Sequence, residues 1–351
     1  MRRFLLAGFA AAVLVVAQQQ PSVSNAQQKA ASASAGLDGA IRSASNAEKG
    51  PLWIGYAVAT IRGERNSCCW NNSSYGCGLE GNSVQAGTRT ATGPVQLEGP
   101  THVTVLLRVE GGELGRVRTL STECPLDAGG LPFYWLTGVR AADSVALLTR
   151  MATQHTEGNL RSKAGEPSVH AIAVHAGPEA AAALERFATS GSSESIRKTA
   201  LFWLANARGR RGFEVVSKAA REDASDKVRE HAVFALTQSQ EAEAIPAIIR
   251  IAREDRSAHV RGQALFWLGQ KAARQSAGTL SEAIEKDPDT EVKKKAVFAL
   301  YQLPKDEGVP KLIDIARTHS NAAVKKQALF WLGQSKDPRA LKFFEQLLSK
   351  P

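Results

Sequence analysis

No cysteine occurs after Cys124 in this 351-residue chain, and none of the four forms a C-x-x-C pair. A structural zinc site needs paired close spacings of that kind, so zinc is not expected. H-E-x-x-H, G-x-x-x-x-G-K and G-x-S-x-G are also missing, as is any close Cys and His pairing. Their absence removes the common signatures of metalloproteases, phosphate cradles and nucleophile elbows, leaving only sites assembled from distant residues. His170 and His175 stand five apart, a poor spacing for sharing a helix face, and are expected as core or surface histidines rather than ligands. The expectation is a chain that is not an enzyme and carries no cofactor.

Beyond the first residues, no run is apolar enough to cross a bilayer. The chain opens with Met1-Arg2-Arg3 and an apolar stretch from Phe4 to Ala17, the pattern of an export leader. Small residues at Ser24-Asn25-Ala26 place the leader at 1–26, with a cut after Ala17 second and an uncleaved anchor third. Export to a periplasm or the exterior agrees with the cysteines, because oxidising conditions favour disulfides. Adjacent Cys68 and Cys69 would strain a mutual bond, so two bridges are expected, each joining one of them to Cys77 or Cys124.

The formal charge of +10 and pI near 9.6 favour an acidic partner. Export argues against nucleic acid, leaving an anionic envelope surface or an acidic protein segment.

Residues 27–50 are rich in Ala, Ser and Gln with few large apolar side chains, the composition of a disordered linker. From 51 to 139 the texture changes to short alternating runs, the mark of a β-rich domain. "PLWIGYAVATIR" sets Ile54, Tyr56 and Val58 against Trp53, Gly55 and Ala57. "THVTVLLRV", Gly111-Gly112 and "LGRVRTL" read as a hairpin. At Ala141 the period becomes helical, with Asp143 expected as N-cap, and 140–351 is assigned to helical repeats.

The repeat is plain. "IRKTALFWLAN" from Ile196 recurs as "VREHAVFALTQ" from Val228, "VRGQALFWLGQ" from Val260, "VKKKAVFALYQ" from Val292 and "VKKQALFWLGQ" from Val324, each 32 residues after the last. A second apolar helix lies between copies, with Pro246 and Pro310 expected in its first turn. Such helix pairs cannot bury their stripes alone and must stack into an α-solenoid. The pattern V-[RK]-x-x-A-[LV]-F-x-L resembles the short HEAT repeats of the phycobilisome-lyase type. That resemblance covers about 141–351 and implies a solenoid used as a scaffold, a regulator or, in a few relatives, an enzyme. Deoxyhypusine hydroxylases share the architecture but hold iron with His-Glu pairs, and no His-Glu dipeptide occurs here. Phycobilisome lyases work in the cytoplasm, at odds with a leader. A lyase-like enzyme holding a small ligand is the alternative to a binding scaffold.

With each copy numbered from its Val or Ile and advanced 100° per residue, positions one, five, eight, nine and twelve face the core. Position seven points away and is always Phe: Phe202, Phe234, Phe266, Phe298 and Phe330. Beside it, position eleven gives Asn206, Gln238, Gln270, Gln302 and Gln334. Rings between amides suit an extended peptide, because rings bury apolar side chains while amides pair with backbone N–H and C=O groups. The opposing expectation is that curvature tucks each Phe into the core. The basic row at position two, Arg197, Arg229, Arg261, Lys293 and Lys325, is expected to tie down inter-helix turns through acids such as Asp226 and Asp289. Position eight alternates Trp203, Ala235, Trp267, Ala299 and Trp331, making the true unit a doublet of interdigitating large and small side chains.

Overall fold

The computed structural model describes residues 20–61, 68, 70–71, 74–75, 77–80, 101–154, 164–189, 192–271 and 273–349. The N-terminal region is built on a five-stranded sheet. Its strands are β2 (Gln27–Ser32), β3 (Leu52–Ala59), β7 (His102–Glu110), β8 (Glu113–Ser121) and β10 (Pro132–Thr137), in the order β2-β10-β3-β7-β8. Three further pieces, β1 (Val23–Ser24), β6 (Cys77–Gly78) and β9 (Leu126–Asp127), form a small second sheet, and β4 (Trp70–Asn71) pairs with β5 (Ser74–Tyr75). The hairpin falls where the sequence places it: β7 and β8 are antiparallel, joined through Gly111 and Gly112 at φ 57° and 79°, a left-handed pair that glycine adopts without strain.

Both faces of the main sheet are covered, which is why its central strands read as nearly continuous apolar runs. On one face Ile54, Tyr56, Val58, Val105, Leu107 and Leu136 join the core that runs on through the helices. On the other, Trp53, Leu106, Phe133 and Trp135 pack with Leu79, Leu126 and the three described cysteines. Gly55 is required by this second layer, since a Cβ there would lie 2.8 Å from Phe133 Cζ. Cys68 is bonded to Cys124, with Cα atoms 5.5 Å apart, and Cys77 is also disulfide-bonded. Cys69 lies outside the described residues.

The stretch 27–50, expected as a linker, is instead a strand and a helix. Gln27–Ser32 forms β2, a polar edge strand parallel to β10, and α1 (Leu37–Ala47) buries Leu37, Ile41 and Ala44. Composition misses this because an edge strand finds its hydrogen bonds in a partner distant in sequence, and one apolar residue per turn suffices to dock a short helix. Residues 1–19 lie outside the description, and the Ser22 and Ser24 carbonyls accept backbone hydrogen bonds from Leu126 and Ala128, which ties β1 to the small sheet.

Thirteen more helices follow among the described residues: α2 (Ala141–Thr153), α3 (Gly165–Val174), α4 (Pro178–Phe187), α5 (Glu194–Ala207), α6 (Gly209–Glu222), α7 (Asp226–Leu236), α8 (Ala244–Glu254), α9 (Ala258–Lys271), α10 (Ala273–Lys286), α11 (Thr290–Tyr301), α12 (Lys305–Thr318), α13 (Ala322–Gln334) and α14 (Pro338–Leu348). They stack in two layers. Helices α3, α5, α7, α9, α11 and α13 lie side by side in one, with the even-numbered helices from α4 onward in the other. Neighbours approach more closely in the first layer, which therefore lines the inner side of the curve. Side chains of Ser193, Ser225, Asp289 and Asn321 accept N–H groups at the starts of α5, α7, α11 and α13, so four of the six inner helices have a local start signal.

Three local expectations are corrected. Arg140 is the N-cap of α2, while Asp143 lies in the first turn and pairs with it at 2.8 Å. Pro246 does fall in the first turn of α8, but Pro310 is interior to α12, because that helix begins at Lys305. In the inner helices position six is core, as with Val233 and Leu265, whereas Trp203, Trp267 and Trp331 at position eight remain half-buried. Neighbours on both sides within the layer widen the buried arc toward position six.

Sheet and helices share one core. Thr60, just after β3, bridges to His175 at the end of α3, and across the same junction the Ile61 N–H donates to the Val174 carbonyl and the Ala176 N–H to the Ala59 carbonyl. At its centre His175 Nδ1 faces the Ala171 carbonyl at 2.6 Å and Nε2 faces Ser144 Oγ at 2.9 Å, while Tyr56 Oη meets the same hydroxyl at 2.9 Å. All three side chains are buried. Burial pushes the His175 pKa down. With Nδ1–H donating to Ala171, Nε2 accepts from Ser144 and Ser144 accepts from Tyr56, which satisfies every polar atom of the trio.

Candidate partner-binding face

The Phe row of the inner layer neither projects freely nor disappears into the core. Phe202, Phe234, Phe266 and Phe298 are half-buried, and Phe330 in the last inner helix is 54% exposed. Within a doublet the rings stack: Phe202 on Phe234 at 6.0 Å and Phe266 on Phe298 at 6.1 Å, with planes 13° and 10° apart. Between doublets the Trp of position eight makes the link. Trp267 lies 5.0 Å from both Phe234 and Phe266, and Trp331 lies 4.7 Å from Phe298 and 4.9 Å from Phe330.

The result is one continuous row of rings from Trp203 to Phe330, closed at its N-terminal end by His170 stacked on Trp203 at 4.6 Å. Four of the five Phe rings are half-buried and Phe330 is exposed, so part of each ring is left for contact. The tryptophans are the part of this row that sequence reasoning misses. Helical phase places them in the core, although their recurrence in alternate copies, one residue after the Phe, is visible.

Each amide follows its Phe by four residues, one helical turn on. Asn206, Gln270 and Gln334 are exposed, and Gln238 and Gln302 half-buried. Gln270 donates to Gln302 on the next inner helix, and Gln238 to the adjacent Thr237 hydroxyl at 2.7 Å. His231 stands edge-on to Phe234 at 5.6 Å with its Nε2 buried and unpartnered. Burial, with the nearby Lys198 charge, holds its pKa down, so the neutral ring is favoured.

The basic row at position two is structural. Arg197 pairs with Asp223, Arg229 with Asp255 and Arg261 with Asp287, each 26 residues further on. These acids replace the expected Asp226 and Asp289; Asp289 caps α11 and Asp226 sits in the first turn of α7. Among the described residues no group of three or more His, Cys, Asp or Glu could hold a metal ion. No helix there is long and apolar enough to cross a membrane.

A HEAT-repeat family model matches residues 213–300, 245–318 and 277–351. No curated protein matches the chain. Among solved structures, human deoxyhypusine hydroxylase in complex with glycerol aligns at 16% identity and TM-score 0.31, over 60% of this chain and 91% of that one. The complex of CpcE and CpcF of phycocyanin lyase from Nostoc aligns at 19% identity and TM-score 0.33, over 56% of this chain and 76% of that one. Kap121p aligns at 12% identity and TM-score 0.38, over 59% of this chain and 27% of that one. The expectation of a chain that is not an enzyme is corrected here: the solved structures it is similar to include human deoxyhypusine hydroxylase and phycocyanin lyase. The C-terminal region, residues 213–351, is an array of HEAT repeats.

Proposed function

We propose that this chain binds a protein partner as an extended segment laid along the inner layer, across Phe202, Phe234, Phe266, Phe298 and Phe330 and the amides Asn206, Gln238, Gln270, Gln302 and Gln334. The observation that carries the reading is the unbroken row of half-buried rings. A row of rings gives apolar side chains a place to dock at every helix, and the amides offer donors and acceptors to a backbone that has none satisfied internally. We place the protein outside the cytoplasm, in a periplasm or secreted; the Cys68–Cys124 bond and the bonded Cys77 support that reading.

Site-directed photocrosslinking in living cells tests it. A photoreactive phenylalanine analogue at Phe298 is expected to trap a discrete partner band that is lost when Phe266 is also Ala. The same analogue at Pro310 on the outer layer is expected to trap none. Equal crosslinking from both positions contradicts the proposal.

A further inference from the structure

The inner helices that carry the Phe row, α5, α7, α9, α11 and α13, hold eleven Lys and Arg against four Asp and Glu. Several of these cations serve the fold, but those at positions three and four stand one turn from a ladder ring. Lys198 precedes Phe202, Lys294 and Lys295 precede Phe298, and Lys326 precedes Phe330. Lys294 is paired with Glu291 at 2.9 Å. Glu230, the acid at the matching position of α7, is engaged by His259 at 3.0 Å. No acid among the described residues pairs with Lys198, Lys295 or Lys326.

Lys295 is more than a free surface cation. On α9 the third position is Gly262, and a Cβ built there would lie 2.5 Å from the Cδ of Lys295, at the fourth position of α11, and 3.3 Å from its Nζ. The lysine stem thus fills the place of the missing side chain, lying across from α11 to α9 beside the stacked pair Phe266 and Phe298. Packing of the stem lowers the entropy that a flexible lysine would lose on meeting a carboxylate.

We infer that the segment bound on this face is acidic, placing a carboxylate against Lys295 and a second against Lys326 while apolar side chains meet the rings. The inference rests on the proposed peptide-binding role of the ladder. Lys198 marks the other end of the same row.

Selection of random linear peptides from a display library on the full chain tests it. Enriched peptides are expected to combine Asp or Glu with aliphatic or aromatic residues. The best of them, fluorescein-labelled, is expected to bind the Lys295→Glu/Lys326→Glu variant about tenfold or more weakly. Lys295→Met, which keeps the stem over Gly262, isolates the charge and is expected to weaken binding several-fold, less so in high salt. Enrichment of neutral or basic peptides, or unchanged affinity in both lysine variants, overturns the acidic assignment while leaving the ladder reading in place. Peptides indifferent to Phe266→Ala/Phe298→Ala, or no enrichment at all, overturn the ladder reading as well. Binding of single-stranded DNA or anionic vesicles in place of peptide also counts against the inference.

Discussion

Arg229 donates from Nε and Nη2 to the two carboxylate oxygens of Asp255 at 2.9 and 3.1 Å, and the two side chains are only 2% and 4% exposed. The same guanidinium reaches back to the carbonyl of Asp223, so one residue ties the loop before its own helix to the loop after the next. Removing one partner of such a pair leaves the other charge buried and unmatched. Arg229→Ala is expected to cost about 3–5 kcal/mol. Arg197→Ala, whose pair is 14% and 10% exposed, should cost distinctly less. Urea denaturation of both variants followed by circular dichroism decides; equal losses would mean that burial is not what sets the contribution.

The doublet predicts an opposite response at two equivalent glycines. A Cβ on Gly269 would lie 2.9 Å from the Cβ of Ala299 and 3.0 Å from its Cα, contacts that backbone cannot relieve cheaply. At Gly333, in the last copy, nothing lies within 4 Å. Gly269→Ala is expected to destabilise by about 1–3 kcal/mol through overpacking. Gly333→Ala should stabilise by up to about 1 kcal/mol, because Ala is the better helix former. Thermal melts of the pair check both signs at once.

The helical half was largely legible because a strict interval leaves little freedom: once one copy is read as a helix pair, the others follow. Phase points position seven away from the core, where four of the five Phe are half-buried, and phase alone puts Trp203, Trp267 and Trp331 inside. An indole is too long to be described by the direction of its Cβ, and each reaches back along the layer to a ring of the preceding helix. The arginine row was rightly read as structural, but its partners lie 26 residues away across a turn, a pairing fixed only by stacking. In the fourth copy the pattern dissolves into Lys293 and His319. His319 keeps only part of the aspartate's role, accepting the Asn321 N–H on Nδ1 as Asp255 accepts that of Ser257. The N-terminal half was legible as strands but not as a sheet, since β2 and β10 are parallel neighbours separated by most of the domain.

Acidification should loosen the junction of sheet and helices. Burial holds His175 below its ordinary value of 6.5 in the folded chain, whereas the unfolded chain takes up its proton near that value. The unfolded state therefore binds more protons below about pH 6.5, and stability that is complete above that pH falls as the pH drops through it. His170 and His231, also lowered by burial, act in the same direction. Comparing urea midpoints at neutral and mildly acidic pH, His175→Gln is expected to be less stable than the native chain when neutral, yet to lose less on acidification. An unchanged pH slope would remove His175 from the linkage.

The first strand sets where a leader can end. Ser22 and Ser24 carbonyls accept N–H groups of Leu126 and Ala128 at 2.8 and 3.1 Å, the Asn25 carbonyl accepts that of Gly130 at 2.8 Å, and Asn25 Nδ2 donates to Asp127 at 2.9 Å. Pro21 is buried, and Val23 packs against the cysteine-lined core. A chain beginning at Gln27 would leave those Leu126, Ala128 and Gly130 groups without their partners, and for the buried Leu126 and Ala128 an unmatched donor costs about 1–3 kcal/mol each. If the chain is exported as proposed above, its mature form is expected to begin upstream of Pro21, as a cut after Ala17 would give. Intact-mass measurement of the exported protein reads this directly, and a chain starting at Gln18 is expected to melt at a higher temperature than one starting at Gln27. A mature protein that begins at Gln27 and melts no lower would show that β1 contributes nothing to the sheet it joins.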